Sequence, residues 1–123
     1  MKNKGLTETQ KQALMDLFLV GMYTDHNLSS AEDACVQKLL DSFEFSSDYE
    51  RQQFSDAAFA RARQHTVSSE AIRVYVTQLT GRFPKPEERR NIYETLDNLL
   101  TSDGRVTSEE SQLLRMVREA FQL

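Results

Sequence analysis

The segment Thr24-Asp25-His26-Asn27-Leu28-Ser29-Ser30-Ala31-Glu32 recurs 78 positions later as Ser102-Asp103-Gly104-Arg105-Val106-Thr107-Ser108-Glu109-Glu110. In both copies an aspartate is followed three residues later by a branched aliphatic residue, then by Ser or Thr, and then by Ser. A glutamate stands seven residues after the aspartate in each copy, as Glu32 and Glu110. The two segments therefore share one chemical pattern, although few residues are identical.

Each segment contains the pattern that begins a helix. Ser29-x-x-Glu32 and Thr107-x-x-Glu110 are capping boxes, in which the hydroxyl oxygen accepts from an early helical N–H and the glutamate accepts from the cap residue's own N–H. The flanking residues are apolar at helical spacing, and the same 78-residue shift pairs them. The pairs are Leu14 with Ile92, Phe18 with Leu96, Met22 with Leu100, Cys35 with Leu113, Val36 with Leu114, Leu39 with Val117, and Phe43 with Phe121. The repeated unit is predicted to be a helix, an acidic turn and a second helix.

The whole chain is predicted to be an all-α, compact, single-domain bundle of about six helices over residues 1–123. Two pseudo-symmetric hairpins, at about 7–45 and 87–122, are expected to be related by a pseudo-two-fold axis. Two further helices, at about 48–81, are inserted between them. Ser-rich stretches, Gly81 and the Arg82-Phe83-Pro84-Lys85-Pro86 loop separate these helices, because proline removes a donor and restricts the residue before it.

The first helix is predicted to run from about Thr7 to Thr24. Its large apolar residues are expected to lie on one broad face. These residues are Leu14, Met15, Phe18, Leu19 and Met22.

Length and composition indicate a soluble globular domain. The 123 residues are 39% hydrophobic and 28% charged, and no apolar run approaches the roughly 20 residues needed to span a bilayer. The start of the chain lacks a continuous secretory apolar region, so we expect a cytoplasmic protein without a transmembrane segment. The single cysteine, Cys35, agrees with a reducing compartment and is expected to be a small core residue. The net charge of −4 argues against a nucleic-acid partner, which would require a clustered basic surface.

The acidic turns are the main functional candidates, with two interpretations. In the first, Asp25 and Asp103 accept from backbone N–H groups of their own turns, while Glu32 and Glu110 complete the capping boxes. In the second, the pseudo-two-fold brings the turns together, and the four carboxylates bind a hard cation such as Ca²⁺ or Mg²⁺. Capping is favoured, because an EF-hand would require several more oxygens and because Arg105 opposes a cation. We expect both turns at one end of the molecule and the four carboxylates to form its most negative surface.

Other site chemistry is sparse in the sequence. There is no Glu-x-x-His pair for a di-iron bundle, no second cysteine for zinc and no glycine-rich phosphate loop. We therefore expect no established cofactor and no catalytic residues. His65, beyond an Arg-rich helix end, is expected to be exposed or to cap that helix. Basic residues near the proline loop are expected to form a solvated surface, with an anionic partner as the alternative. They are Arg82, Lys85, Arg89 and Arg90.

The stretch from Leu96 to Glu110, with its Asp103-Gly104 turn and the glutamate-initiated helix that follows, resembles the TerB-like family of bacterial tellurite-resistance proteins. The stretch from Met22 to Glu32 is similar to the family's N-terminal counterpart. His26 replaces the glycine there, which is expected either to distort this turn or to weaken its metal binding. The resemblance implies a compact all-helical cytoplasmic domain with clustered acidic residues. It also implies an association with stress responses to tellurite and phage, and no established enzymatic reaction. Domains of this family are also expected as part of a co-chaperone.

Three functions follow from these observations. The first is a non-enzymatic TerB-like domain, associated with stress or tellurite resistance, that binds a protein partner and a divalent cation at Asp25, Glu32, Asp103 and Glu110. The second is a purely structural protein–protein interaction module, in which the acidic residues only cap helices. The third is an enzyme with paired carboxylates as acid and base, which would require a pocket and shifted pKa values.

Overall fold

The computed structural model describes residues 6–22, 30–101 and 108–123, which form six α-helices and no strand. The prediction of an all-α fold with six helices is confirmed. None of the helices in this part of the chain has the length and apolar character that crossing a bilayer requires. In chain order the helices are α1 (Glu8–Met22), α2 (Ser30–Ser42), α3 (Asp48–His65), α4 (Ser69–Thr80), α5 (Pro86–Leu100) and α6 (Ser108–Phe121).

Local side-chain chemistry begins several of these helices. Ser47 and Ser68 are extended N-cap residues, and their hydroxyl oxygens accept from the N–H groups of Glu50 and Ala71, each at 3.1 Å. At the start of α5, Pro86 occupies the first turn, where its missing N–H costs nothing. The Ser-rich stretches and the proline loop, which were predicted to separate helices, therefore lie at the starts of α3, α4 and α5.

The core surrounds α1, which packs against α3, α4, α5 and α6. Every residue from Ala13 to Gly21 is buried, including Asp16. Burial of α1 therefore extends beyond the one broad face that its large apolar residues indicated. A helix whose neighbours cover every side has no solvent face, which explains the continuous apolar run Leu17-Phe18-Leu19-Val20.

The 78-residue repeat is visible in the burial of side chains. Ile92, Leu96 and Val117 are buried like their counterparts Leu14, Phe18 and Leu39. Phe43 and Phe121 are both buried as well, whereas Cys35 is half-buried at the margin of the core and its counterpart Leu113 is buried. The pseudo-two-fold relation of the hairpins stays a prediction, because both of the turns that define it lie outside the described residues.

Replacing Val117 with alanine is expected to lower the free energy of unfolding by about 1 to 3 kcal/mol. Val117 is fully buried in α6, and the shorter side chain would leave a cavity in the core. Replacing exposed Gln112 of the same helix with alanine should change stability little. Chemical denaturation measures both variants, and equal midpoints would show that the buried face of α6 is wrongly assigned.

Candidate functional site

The four predicted site residues are only partly described. Asp25 and Asp103 lie outside the described residues, and Glu32 lies in the first turn of α2 with a side chain that is likewise outside them. Glu110 lies in the first turn of α6, is only 6% exposed and takes part in an interaction within the protein. Glu110 is therefore a buried carboxylate, and the expectation that the four carboxylates form the most negative surface of the molecule stays a prediction. The described residues contain no group of three or more His, Cys, Asp or Glu side chains arranged to hold a metal.

The helix ends that lead into the two acidic turns meet in space. Gly21 lies one residue before the end of α1, and Leu100 is the last residue of α5. A Cβ atom on Gly21 would lie 3.5 Å from both terminal methyl carbons of Leu100 and 2.6 Å from Cδ2 of Leu113 in α6. The C-terminal ends of α1 and α5 thus converge beside the N-terminal half of α6.

Both aspartates follow these helix ends closely in the sequence, Asp25 four residues after Gly21 and Asp103 three residues after Leu100. Both lie outside the described residues, so the expectation that the two acidic turns lie at one end of the molecule stays a prediction.

A second polar cluster, absent from the sequence predictions, lies inside the bundle. The Asp16 carboxylate on α1 is 1% exposed and receives two hydrogen bonds from Arg61 on α3, Nε to Oδ2 at 2.7 Å and Nη2 to Oδ1 at 2.9 Å. The hydroxyl of Tyr75 on α4 donates a further hydrogen bond to Oδ2. His65, near the end of α3, stacks on Tyr75 with ring centroids 4.0 Å apart and an interplanar angle of 11°. The Asp16 cluster, defined by these four residues, links α1, α3 and α4.

Within the Asp16 cluster, the negative charge of Asp16 is balanced by the positive charge of Arg61. The Asp16 carboxylate accepts two hydrogen bonds from the planar guanidinium of Arg61 and one from the hydroxyl of Tyr75. Charge-assisted hydrogen bonds of this kind offset the free-energy cost of burying a charge. Hydrogen bonding to Asp16 raises the pKa of Arg61, which keeps the guanidinium charged. Burial, reinforced by the hydrogen bond to Asp16, raises the pKa of Tyr75 well above its ordinary value of about 10. The cluster therefore acts as a polar cross-link between helices.

One sequence interpretation changes at this cluster. His65 is half-buried and stacked on Tyr75, so the expectation of an exposed side chain is wrong. The alternative, that it caps α3, stays a prediction. Asp16 itself was missed, although a signal was present. It is the single charged residue between Ala13 and Met22, where α1 is otherwise apolar, and such a charge requires a buried partner.

The basic residues near the proline loop are divided between two roles. The Nε of Arg89 donates to the carbonyl oxygen of Phe83 at 2.6 Å, so this half-buried arginine fastens the loop to α5. Arg82, Lys85 and Arg90 are exposed. Their interpretation as a solvated surface stays a prediction.

Burial and hydrogen bonding of the Tyr75 hydroxyl predict a loss of protein stability at alkaline pH. Because folding raises the pKa of Tyr75, the folded state holds this proton more tightly than the unfolded state. The associated stability is fully present below pH of about 10 and is lost as the pH rises towards the folded-state pKa. Denaturation midpoints of wild type should therefore fall more steeply above about pH 10 than those of Tyr75→Phe.

The matched control for this prediction is Tyr49→Phe, since Tyr49 is 71% exposed. In wild type, tyrosinate absorbance should show that one of the four tyrosines ionises only as the protein unfolds. This delayed ionisation should be absent from Tyr75→Phe and present in Tyr49→Phe. Identical alkaline profiles for wild type and both variants would contradict the buried hydrogen bond.

Comparison with protein-family models matches residues 11–123 to the family described as Tellurite resistance protein TerB. The match covers nearly the whole chain, including all six helices except the first three residues of α1. Searches of curated proteins and of solved structures gave no significant match.

Proposed function

The chain belongs to the TerB family of tellurite resistance proteins, and from this premise we propose that it is a non-enzymatic binding domain that holds a hard divalent cation at its two acidic turns. The single observation that carries the proposal is the meeting of the α1 and α5 ends at Gly21 and Leu100. Asp25 follows Gly21 by four residues and Asp103 follows Leu100 by three, which supports a site that their carboxylates share with those of Glu32 and Glu110. Carboxylate oxygens are the ligands that Ca²⁺ and Mg²⁺ prefer.

Glu110 supports this proposal in a specific way. It lies one helical turn before Leu113, the residue that faces Gly21, and so belongs to the same end of the bundle. A carboxylate that is 6% exposed must be paired, hydrogen-bonded or coordinated. We propose that Glu110 forms the inner side of the cation site, with the two turn aspartates on its outer side.

The proposed biological role is a contribution to stress or tellurite resistance through a protein partner, and the cation would order the surface that the partner contacts. This role is supported by the family match over residues 11–123. It is tested by tellurite challenge of cells that lack the gene and carry wild type or Asp25→Asn/Asp103→Asn. Loss of protection in the variant, at equal protein levels, would agree with a role for the acidic turns.

The cation proposal predicts that Ca²⁺ or Mg²⁺ raises the melting temperature of wild type. A ligand that binds only the folded state stabilises it by about 2.7 kcal/mol when its concentration is 100-fold above Kd, which corresponds to a shift of several degrees. In Asp25→Asn/Asp103→Asn the shift should be strongly reduced, because two charged oxygen donors are lost. Calorimetric titration of both proteins measures the affinity directly.

The matched control is Asp33→Asn/Glu94→Gln, which removes two negative charges at exposed positions of α2 and α5. This control should keep the full response to cation. A wild-type melting temperature that does not respond to millimolar Ca²⁺ or Mg²⁺ would reject the cation. The turn aspartates would then act only as helix caps, whose loss costs about 1 kcal/mol each without metal dependence.

A further inference from the structure

A groove runs along the surface where α4 packs against α6. Its volume is about 680 Å³, and its floor is formed by Ile72 and Val76 of α4 and Met116 of α6. Ile72 and Met116 are only half-buried, so apolar surface remains accessible to a ligand. The groove is separate from the Asp16 cluster, none of whose members line it.

Both walls of the groove follow helical periodicity. On α4 the lining residues run from Ser69 to Thr77, and on α6 they run from Gln112 to Ala120. Each wall spans eight residue steps, or about 12 Å at 1.5 Å per residue. The groove is therefore as long as about two turns of a helix laid into it.

The groove continues into a second cavity of about 330 Å³ at the start of α4. Ile72 and Met116 line both cavities, and Thr66 and Ser68 line the second one alone. Val67, between them, is 75% exposed. Val67 lines neither cavity, so it only adds exposed apolar surface just before α4.

Two arginines give the groove a charge opposite to that of the chain. Arg73 and Arg115 are exposed, and within the described residues neither guanidinium forms an ion pair or a hydrogen bond. Arg115 lies four residues before Glu119, yet these two side chains form no ion pair. Glu119 is the only acidic residue among those that line the main groove. A locally basic groove on a protein of net charge −4 indicates an acidic ligand.

We propose that this groove docks an acidic amphipathic helix of a protein partner. The apolar side of that helix would cover Ile72 and Met116, and its carboxylates would pair with Arg73 and Arg115. This is the helix-in-groove mode, in which anchors at i, i+3, i+4 and i+7 match a groove of this length. Bidentate pairing of arginine with carboxylate adds geometric specificity. The inference rests on the partner-binding part of the proposed function and is independent of the cation.

The test uses the full chain and a display library of 16-residue peptides. Selected peptides should combine Asp or Glu with aliphatic residues at helical spacing, and should bind wild type at least tenfold more tightly than Arg73→Glu/Arg115→Glu. Binding should weaken as salt is raised, because the arginines are exposed. The control Arg63→Glu/Arg90→Glu makes the same charge change at exposed positions outside the groove and should bind like wild type.

Several results would overturn the proposal. These are selection of no peptide, selection of basic peptides, or equal binding to wild type and to Arg73→Glu/Arg115→Glu. Concentration-dependent dimerisation lost in that variant would assign the groove to a second copy of the chain. Binding to anionic phospholipid vesicles, lost in the same variant, would assign it to a membrane surface. The cation-dependent melt of Arg73→Glu/Arg115→Glu should match wild type, so failure of the groove and failure of the cation site give different results.

Discussion

Replacing Arg61 with methionine is expected to lower the free energy of unfolding by about 2 to 4 kcal/mol. The substitution keeps much of the side-chain volume but leaves the Asp16 carboxylate, which is 1% exposed, without its charged partner. Breaking a fully buried pair costs about 3 to 5 kcal/mol, and the lower range applies here because the Arg61 side chain is 30% exposed. Denaturant unfolding monitored by circular dichroism measures the loss.

The matched control is Arg63→Met, an exposed arginine of the same helix, for which little change is expected. The double variant Asp16→Leu/Arg61→Met removes both charges and should regain much of the stability lost in Arg61→Met, because no unpaired carboxylate remains. A midpoint for Arg61→Met equal to that of wild type would show that Asp16 does not depend on the guanidinium. The hydrogen bonds from Nε and Nη2 of Arg61 to Asp16 would then contribute nothing to the free energy of unfolding.

The second large effect is expected at Gly21, where valine should lower the free energy of unfolding by about 2 to 3 kcal/mol. Even one added carbon would lie 2.6 Å from Cδ2 of Leu113, and that side chain is 1% exposed and closely packed. Valine adds two further methyl groups at a position where α1 meets the end of α5 and the face of α6. The helix ends must then separate, or Leu113 must leave its rotamer, and either change costs packing energy.

Gly81→Ala provides the opposite case. Gly81 is exposed at the C-cap of α4 with φ of −65°, and a Cβ there would meet its nearest neighbour, the carbonyl oxygen of Gln78, at 3.4 Å. Alanine adopts this backbone region readily, so stability should stay the same or rise slightly. Thermal melts of the two variants measure the contrast. Equal losses at both glycines would contradict the close approach of the helices at Gly21.

Several features of the fold were predictable because their causes are local. The hydroxyl caps at Ser47 and Ser68 and the proline at position 86 act within a few residues, so their positions in the sequence locate the starts of α3, α4 and α5. Apolar spacing of 3.6 residues likewise identified the buried faces of α5 and α6, including Leu96 and Val117. The acidic turns were found by the repeat, although their proposed role as a cation site stays a prediction.

The Asp16 cluster and the groove could not be predicted in the same way. Arg61 and Tyr75 lie 45 and 59 positions from Asp16 in the chain, so no periodicity within one helix connects them. The arginines of the groove, Arg73 and Arg115, lie on two helices, and both positions are ordinary exposed sites when each helix is considered alone.

The sequence by itself determined which segments are helical, where several of them begin, and which apolar positions recur between the two halves of the chain. Those properties depend on interactions between residues a few positions apart, which the order of amino acids specifies directly. Only the tertiary structure decided that α1 is buried on every side from Ala13 to Gly21, that Glu110 and Asp16 are buried carboxylates, and that the ends of α1 and α5 meet at Gly21. These properties depend on which helix faces pack against one another. Helical periodicity identifies the apolar face of a helix but not the helix that packs on it.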